Sequence, residues 1–210
     1  MKILVAVPCL EMVSTDFMQS LLALRPPQGK QMEIGLTKSS LVYDARNNLC
    51  ARAINQGFDR VLWIDSDMVF EDDLAIRLSA RLDEGKEFVT GLCFRRRPPY
   101  SPAIFSEVGV NPEENGSVTP FAKTFEDYPK NSLFRVISTG CAGAMMSVDL
   151  IKKVQDRYGL PFSPITGFGE DLSFCLRATD IGAEIWCDSS VKLGHISQTI
   201  ITEETWEGSR

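Results

Sequence analysis

The chain has 210 residues, enough for one sizeable domain with a buried core. Its composition, 44% hydrophobic and 24% charged, is that of a globular protein and excludes a disordered or fibrous chain. The formal net charge of −6 at pH 7 opposes generic binding to a nucleic-acid backbone.

The N-terminus and the cysteines favour a soluble, cytoplasmic protein. The first apolar run, which begins at Ile3, stops at Pro8, so it is too short for the apolar region of a signal peptide and predicts a strand. No stretch of the sequence is long and apolar enough for an integral membrane segment. The six cysteines include no C-x-x-C pair, which predicts reduced and mostly buried thiols.

Strands and helices alternate in the first part of the chain. Apolar runs predict strands at 3–7, 32–36, 60–64 and 88–93. Helical spacing of apolar residues between them predicts helices at 16–24, 43–56 and 71–84. This alternation predicts an α/β fold, a Rossmann-like domain with a central, mostly parallel sheet flanked by helices and with ligands at the carboxyl ends of the strands.

The second part of the chain is less regular. Prolines and polar residues predict loops and a short hairpin over 94–132. The remaining elements are predicted as a strand at 134–138, a helix at 149–158, a loop at 159–169, a helix at 170–179 and a strand at 183–187. Because no clean linker divides the chain, we expect one domain over residues 1–210.

Asp65 and Asp67 directly follow the third predicted strand, in the stretch VLWIDSDMVF. Two carboxylates at i and i+2 in a turn can bind one hard cation, and Mg²⁺ or Mn²⁺ held in this way keeps open positions for phosphate oxygens. A solvated acidic turn explains the same pattern. Three further acids, at 71–73, are expected only to begin the next helix.

Two other candidate features occur late in the chain. Glu170 and Asp171 open a predicted helix behind a glycine-bearing loop, where they either cap that helix or face a pocket. His195 is the only histidine of the chain. It is either structural or a metal ligand, and imidazole beside carboxylates favours Mn²⁺ over Mg²⁺.

These segments occur in an order that resembles a known family. The ordered set is VAVPCLE, DARNNLCARA, VLWIDSDMVF, TGCAGAMMSVDLIKKV and GEDLSFCLRATDIGAEIWCDSSVKLGHIS. It resembles the nucleotide-sugar-dependent glycosyltransferases of the GT-A fold, most closely family 2, over about residues 3–197. The resemblance implies a single GT-A domain, with a nucleotide-binding half at 1–93 and an acceptor-binding and catalytic half at 94–210.

On the nucleotide side, the resemblance implies that Pro8 and Cys9 line the pocket and that Glu11 contacts the base or ribose. Arg46 would lie near the base or the diphosphate, with a salt bridge on the helix surface as the alternative.

Around the two-aspartate turn, the resemblance implies that Asp65 and Ser66 contact the ribose or donor sugar. Asp67, with Asp65 as a further ligand, would bind the cation, Mn²⁺ or Mg²⁺, that bridges the diphosphate. His195 is similar to the C-terminal metal ligand of several GT-A enzymes.

On the catalytic side, the resemblance implies that Asp171 is the general base and that Glu170 beside it orients hydroxyl groups. Gly140 and Gly143 lie in a run of small residues that either borders the donor sugar or allows close packing. The basic run at 95–97 either meets a phosphate or is a solvated loop.

Aromatic residues divide by position. The tryptophans at 63 and 186 lie in predicted strands and are expected in the core. Three others lie in loops or near the chain end and are candidates for covering a sugar, namely Phe168, Tyr100 and Trp206.

The predicted function is a metal-dependent glycosyltransferase that moves a sugar from a UDP- or GDP-sugar donor to a glycan or other hydroxyl acceptor, with inversion. A catalytically inactive GT-A domain that binds nucleotide-sugars or glycans is one alternative. A sugar nucleotidyltransferase is another, but the first loop, PCLEMVSTD, has neither the glycine nor the arginine that grips a triphosphate in that class.

Overall fold

The computed structural model describes residues 1–113, 117–197 and 200–208, with only the backbone at 200 and 201. Strands and helices largely alternate in the first part of the chain, and strands predominate in its middle part. The strands are, in chain order, β1 (Lys2–Cys9), β2 (Gln31–Lys38), β3 (Arg60–Ile64), β4 (Met68–Phe70), β5 (Phe88–Leu92), β6 (Ile104–Pro112), β7 (Val118–Thr124), β8 (Leu133–Val136), β9 (Ser138–Thr139), β10 (Gly143–Ser147), β11 (Ile185–Ile196) and β12 (Ile200–Ile201). The helices are α1 (Thr15–Ala23), α2 (Val42–Asn55), α3 (Leu74–Asp83), α4 (Val148–Tyr158), α5 (Glu170–Asp180) and α6 (Glu203–Glu207).

The larger sheet is mixed, with the strand order β12-β11-β5-β10-β3-β1-β2. β1 pairs in parallel with β2 and β3, and β11 pairs in parallel with β5. β10 is antiparallel to both of its neighbours, β3 and β5. β6 and β7 form a hairpin that, with β9, makes a second, smaller sheet. This is the Rossmann-like GT-A architecture that the sequence predicts.

The central strands are buried and mostly apolar because helices cover both faces of the sheet. In β1, Leu4 and Ala6 point to the face packed by α2, α4 and α5. Ile3, Val5 and Val7 alternate with them and point to the face packed by α1 and α3. Both sets are fully buried. The continuous apolar run therefore supplies two separate cores, one on each side of the sheet.

The predicted strands and helices of the first part of the chain are confirmed, with shifted ends. β1 continues through Pro8 to Cys9, where it pairs with β2 beyond the last β3 contact at Ala6. The acids at 71–73 precede α3 and do not form its first turn, because Asp73 is the N-cap and the helix starts at Leu74. The preceding residues, Met68–Phe70, instead pair with β11 as a short strand.

The largest differences lie in the second part of the chain. The predicted hairpin is present but is longer than expected, spanning β6 and β7. The run of small residues leads directly into β10, a central strand that the sequence pattern did not predict. β11 continues well past its predicted end, so His195 lies within a strand.

All six cysteines are unpaired, and five of them are buried while Cys9 is partly exposed. Among the helices of the described residues, none combines the length and the apolar character that crossing a membrane requires.

Candidate active site

The carboxyl ends of β1, β2 and β3 meet at one edge of the sheet, and a cavity of about 270 Å³ opens there. It is lined by Pro8, Cys9, Leu10, Ser39, Ser40, Val42, Asp65, Ser66 and Asp67. Apolar side chains, hydroxyls and carboxylates thus face one cavity. Ligands of open α/β sheets bind at this edge, and this combination suits a ligand with both apolar and charged parts.

Several predicted residues occupy this cavity as expected, namely Pro8, Cys9, Asp65, Ser66 and Asp67. Glu11 lies outside the lining, exposed and ion-paired with Lys38, so its contact with a base or ribose stays a prediction. The hydroxyls at 39–40 also line the cavity and were not predicted from the sequence. Only their position could have indicated them, because they directly follow the second strand at the same edge of the sheet.

Asp67 and His195 lie side by side because their segments pair. His195 in β11 is the register partner of Met68, and the backbone N–H of Ile196 donates to the carbonyl of Asp67 at 2.7 Å. His195 Nε2 is 3.2 Å from Asp67 Oδ2, and Nδ1 is 2.8 Å from the carbonyl oxygen of Phe94. Because a carbonyl can only accept, Nδ1 carries a proton, and Nε2 is the ring nitrogen that faces Asp67.

Asp67 is held in its ionised form. Arg96 Nη1 lies 2.9 Å from the same Oδ2 oxygen that faces His195. Burial by itself would raise the pKa of Asp67, but the hydrogen bond from His195 and the charges of His195 and Arg96 outweigh it and hold the pKa below its ordinary value. A half-buried, ionised carboxylate of this kind differs from the solvated acidic turn that was the alternative for this motif.

The Asp67–His195 pair fits a divalent cation. Asp67 Oδ2 and His195 Nε2 are 3.2 Å apart, and the Phe94 carbonyl fixes the ring through Nδ1 as outer partners of metal-binding histidines do, so that Nε2 is the nitrogen left for a metal. Within the described ranges, no group of three or more His, Cys, Asp or Glu side chains forms a metal-binding cluster. A cation held by two protein ligands keeps positions for other oxygens, which is how Mg²⁺ and Mn²⁺ bind together with substrate phosphates.

Arg46 joins the two acidic motifs of the sequence. Its side chain projects from α2 and is only 1% exposed. Nη2 lies 2.8 Å from Asp65 Oδ1 and 3.3 Å from Asp171 Oδ1. Nε lies 3.3 Å from Glu170 Oε1. One buried guanidinium therefore holds carboxylates from the turn after β3 and from the start of α5.

The aromatic rings of Trp63 and Phe162 lie 5.5 and 5.6 Å from the Arg46 guanidinium. Burial would lower the pKa of Arg46, but Asp65 and Asp171 outweigh it and raise the pKa well above its ordinary value. Arg46 is therefore a buried residue that binds the carboxylates of this site, and it does not form a salt bridge on the helix surface. Its predicted contact with a base or diphosphate stays a prediction.

Glu170 and Asp171 are not capping residues. The N-cap of α5 is Gly169, and no side-chain hydrogen bond caps the helix. The Asp171 side chain keeps 23% of its surface open, while its Oδ1 atom is buried. Although Arg46 is within ion-pair distance of Oδ1, no group in the described residues is aligned to hydrogen-bond this oxygen.

Asp171 has an acidity suited to proton transfer at neutral pH. Burial raises the pKa of Asp171 to about 7, and the charges of Glu170 and Asp65 add to this effect while Arg46 opposes it. A carboxyl group with a pKa near the working pH can accept a proton and later release it. Asp171 is therefore the residue of this site best suited to act as a general base.

The two predicted glycines have different surroundings. A side chain at Gly140 would lie 3.7 Å from Asp171 Oδ2, so Gly140 borders the acid. A side chain at Gly143 would overlap Leu193 of β11, at 2.5 Å from Cδ2. The packing of Leu193 therefore requires a glycine at position 143, whereas Gly140 lies beside the candidate base.

The aromatic candidates for covering a sugar are not equivalent. Trp206 is only 2% exposed and packs against the rings of Phe94 and Tyr128, so that prediction is wrong for Trp206. Phe168 and Tyr100 are half-buried.

No protein-family model matches the sequence, and no curated protein sequence matches it. Solved structures do match. The crystal structure of A197 from STIV aligns with a TM-score of 0.67 and 16% identity, over 94% of this chain and 86% of that one. The crystal structure of S. aureus TarS 1–349 aligns with a TM-score of 0.54 and 18% identity, over 89% of this chain and 58% of that one. At these identities the likeness establishes the fold, which is the GT-A-like fold of glycosyltransferases, while membership of family 2 stays a prediction.

Proposed function

We propose that this chain is a metal-dependent glycosyltransferase that moves a sugar, with inversion, from a nucleoside-diphosphate sugar to an acceptor hydroxyl. The observation that carries the proposal is the position of Arg46, whose guanidinium holds Asp65 beside the cavity and Asp171 at the start of α5. Two acidic motifs far apart in sequence thereby belong to one site. The GT-A-like fold supports the same class of reaction.

The donor would bind in the cavity at the ends of β1 to β3. The apolar lining from 8–10 and Val42 suits a base, and the hydroxyls at 39–40 and the carboxylate of Asp65 suit a ribose. The diphosphate would lie at the side of the cavity that Asp67 lines, next to the proposed cation. UDP- and GDP-sugars are the donors to test first.

Asp67 and His195 would hold the cation. One nitrogen and one oxygen ligand favour Mn²⁺, with Mg²⁺ as the second choice. When bound, such an ion neutralises the charge that grows on the departing nucleoside diphosphate.

Asp171 would act on the acceptor. As the acceptor oxygen bonds to the anomeric carbon and the bond from that carbon to the diphosphate breaks, the hydroxyl proton passes to the open oxygen of Asp171. Arg46 and the buried environment hold that carboxyl group in place, and Glu170 beside it is positioned to orient hydroxyls. A positioned base of this kind contributes about 10² to 10⁴ in rate.

The test is incubation with a panel of UDP-, GDP- and dTDP-sugars and Mn²⁺, with donor hydrolysis and nucleotide binding measured separately. We expect Asp67→Ala to lose Mn²⁺-dependent nucleotide binding, because it removes one of the two ligands. Asp171→Asn should bind nucleotide as the wild type does and lose about 10² to 10⁴ in turnover. Asp73→Asn, which removes one charge outside the cavity lining, is the matched control and should change neither quantity.

Two outcomes would contradict the proposal. Nucleotide binding with no turnover of any donor or acceptor would favour a binding module. Equal effects of Asp67→Ala and Asp171→Asn on binding would mean that the cation-binding and proton-accepting roles are not divided between these residues.

A further inference from the structure

Arg96 lies against the carboxylate oxygen at which a cation would bind. Its Nη1 atom is 2.9 Å from Asp67 Oδ2, the oxygen that also faces His195 Nε2 at 3.2 Å. A guanidinium and a metal ion cannot both occupy the open side of this oxygen. Arg96 therefore brings a positive charge to the oxygen that would bind the cation.

The loop that carries Arg96 has a fixed base. Phe94 forms a β-bridge with Pro102, and the backbone N–H of Arg95 donates to the carbonyl of Ser101 at 3.0 Å. The Arg96 side chain lies beyond these bonds and is 56% exposed. It can leave Asp67 by rotation of its own side-chain bonds, while Phe94 keeps its hydrogen bond to His195.

Breaking the ion pair between Arg96 and Asp67 costs little free energy. The side chain of Arg96 is 56% exposed and that of Asp67 is 33% exposed, and an ion pair that water reaches contributes little net stability because water solvates the separated charges. A divalent cation brings twice the charge to the same oxygen and gains the lone pair of His195 as well. Binding of the cation would therefore release the Arg96 side chain next to Asp67, which lines the cavity.

We propose that Arg96 is an exchangeable counter-ion, which the cation displaces from Asp67 and which then binds the diphosphate of the donor. The inference rests on the function proposed above. An arginine fork is suited to phosphate oxygens, and a diphosphate that bridges to a cation at Asp67 comes within reach of the released side chain. Arg96 therefore opposes binding of the metal alone and favours binding of the metal with nucleotide.

This dual role predicts effects of opposite sign in one variant. Arg96→Ala should bind Mn²⁺ alone about two- to five-fold more tightly, since an exposed ion pair no longer competes. The same variant should bind UDP or GDP about ten-fold more weakly at saturating Mn²⁺, since a charge-assisted contact to phosphate is lost. Mn²⁺ binding is followed by electron paramagnetic resonance of the free ion, and nucleotide binding by calorimetry.

Arg97→Ala is the matched control. It removes the same charge from the neighbouring position of the loop, and among the described residues Arg97 has no ion-pair partner. A general change in the local electric field would change the Mn²⁺ and nucleotide affinities of both variants equally. Direct exchange would change both affinities of Arg96→Ala by much more than those of Arg97→Ala.

The outcomes separate this inference from the function on which it rests. A wild-type protein that binds neither Mn²⁺ nor Mn²⁺ with nucleotide overturns both. A wild type that binds both, with Arg96→Ala indistinguishable from Arg97→Ala, overturns the counter-ion role alone. Tighter metal binding together with weaker nucleotide binding in Arg96→Ala supports the exchange, and a change of the same sign in both assays contradicts it.

Discussion

Asp67 and Asp171 have pKa values shifted in opposite directions within one site. His195 and Arg96 hold the pKa of Asp67 below its ordinary value despite its partial burial. Burial raises the pKa of Asp171 to about 7, with help from the charge of Glu170. Such a separation suits the two roles proposed above, an ionised carboxylate that would bind a cation and a carboxyl group that would exchange a proton.

This separation predicts the pH dependence of the reaction. A base must be unprotonated, so kcat/KM should rise as the pH passes through about 7, the pKa of Asp171, and then level off. Glu170→Gln should move this rise to lower pH, since the charge of Glu170 helps to raise the pKa of Asp171. The measurement is kcat/KM for the active donor between pH 5 and 9. A rise that persists in Asp171→Asn would assign the titration to another group.

At the scale of elements, β11 positions His195 by packing over two glycines. The Leu193 side chain of β11 fits where side chains at Gly91 of β5 and Gly143 of β10 would stand, at 2.7 and 2.5 Å from their Cβ positions. Leu193 is itself 2% exposed, so it has little room to move. The small residues of the central strands thus let β11 lie against them and carry His195 to Asp67.

Gly143→Ala should therefore destabilise the protein. The added methyl group would overlap the Leu193 side chain, which cannot move away because its other side packs against Gly91. Overpacking of this kind costs about 1–3 kcal/mol. Gly140→Ala is the control, because its methyl group would meet no atom closer than 3.7 Å. The free energy of unfolding from chemical denaturation should fall clearly for Gly143→Ala and little for Gly140→Ala. Equal losses would mean that backbone freedom matters and not contact with Leu193.

The sequence predicted individual strands and helices better than it predicted which elements pair with each other in space. Apolar runs sufficed for β1 and β3, because both faces of these strands are covered. β10 escaped prediction because its few residues follow a glycine-bearing run that also suits a loop. The extension of β11 depends on pairing with β4, a long-range contact that no local pattern contains.

The same limit applies to the site. Order and residue type predicted one site for Asp65, Asp67, Asp171 and His195. In the structure Asp65 and Asp171 share Arg46, and Asp67 faces His195, while the roles of these residues stay predictions. The buried position of Arg46 depends on how α2 and α5 pack, which the helical pattern alone does not encode.

At the scale of the whole molecule, the short helix α6 fastens the end of the chain to its middle. Trp206 packs against Phe94 and Tyr128, at ring distances of 5.5 and 6.1 Å. Phe94 is also the residue whose carbonyl oxygen orients His195. The other side of α6 is held by charge, because Glu203 is 6% exposed and binds Lys130, Lys192 and the Tyr128 hydroxyl.

Glu203 should make this attachment sensitive to acid. Burial would raise the pKa of Glu203, but its hydrogen bonds, foremost that from Lys130, lower it to about 2. A depressed pKa stabilises the fold above the ordinary value near 4.5, and this stability is lost as the pH falls through about 2. Glu203→Gln should thus lower the melting temperature at pH 7, by an amount that shrinks between pH 4.5 and 2. Glu207→Gln, which removes an exposed partner of the same Lys130, should change it little at any pH. A Glu203→Gln deficit that persists undiminished at pH 2 would mean that packing of α6, and not the charge of Glu203, holds the chain end in place.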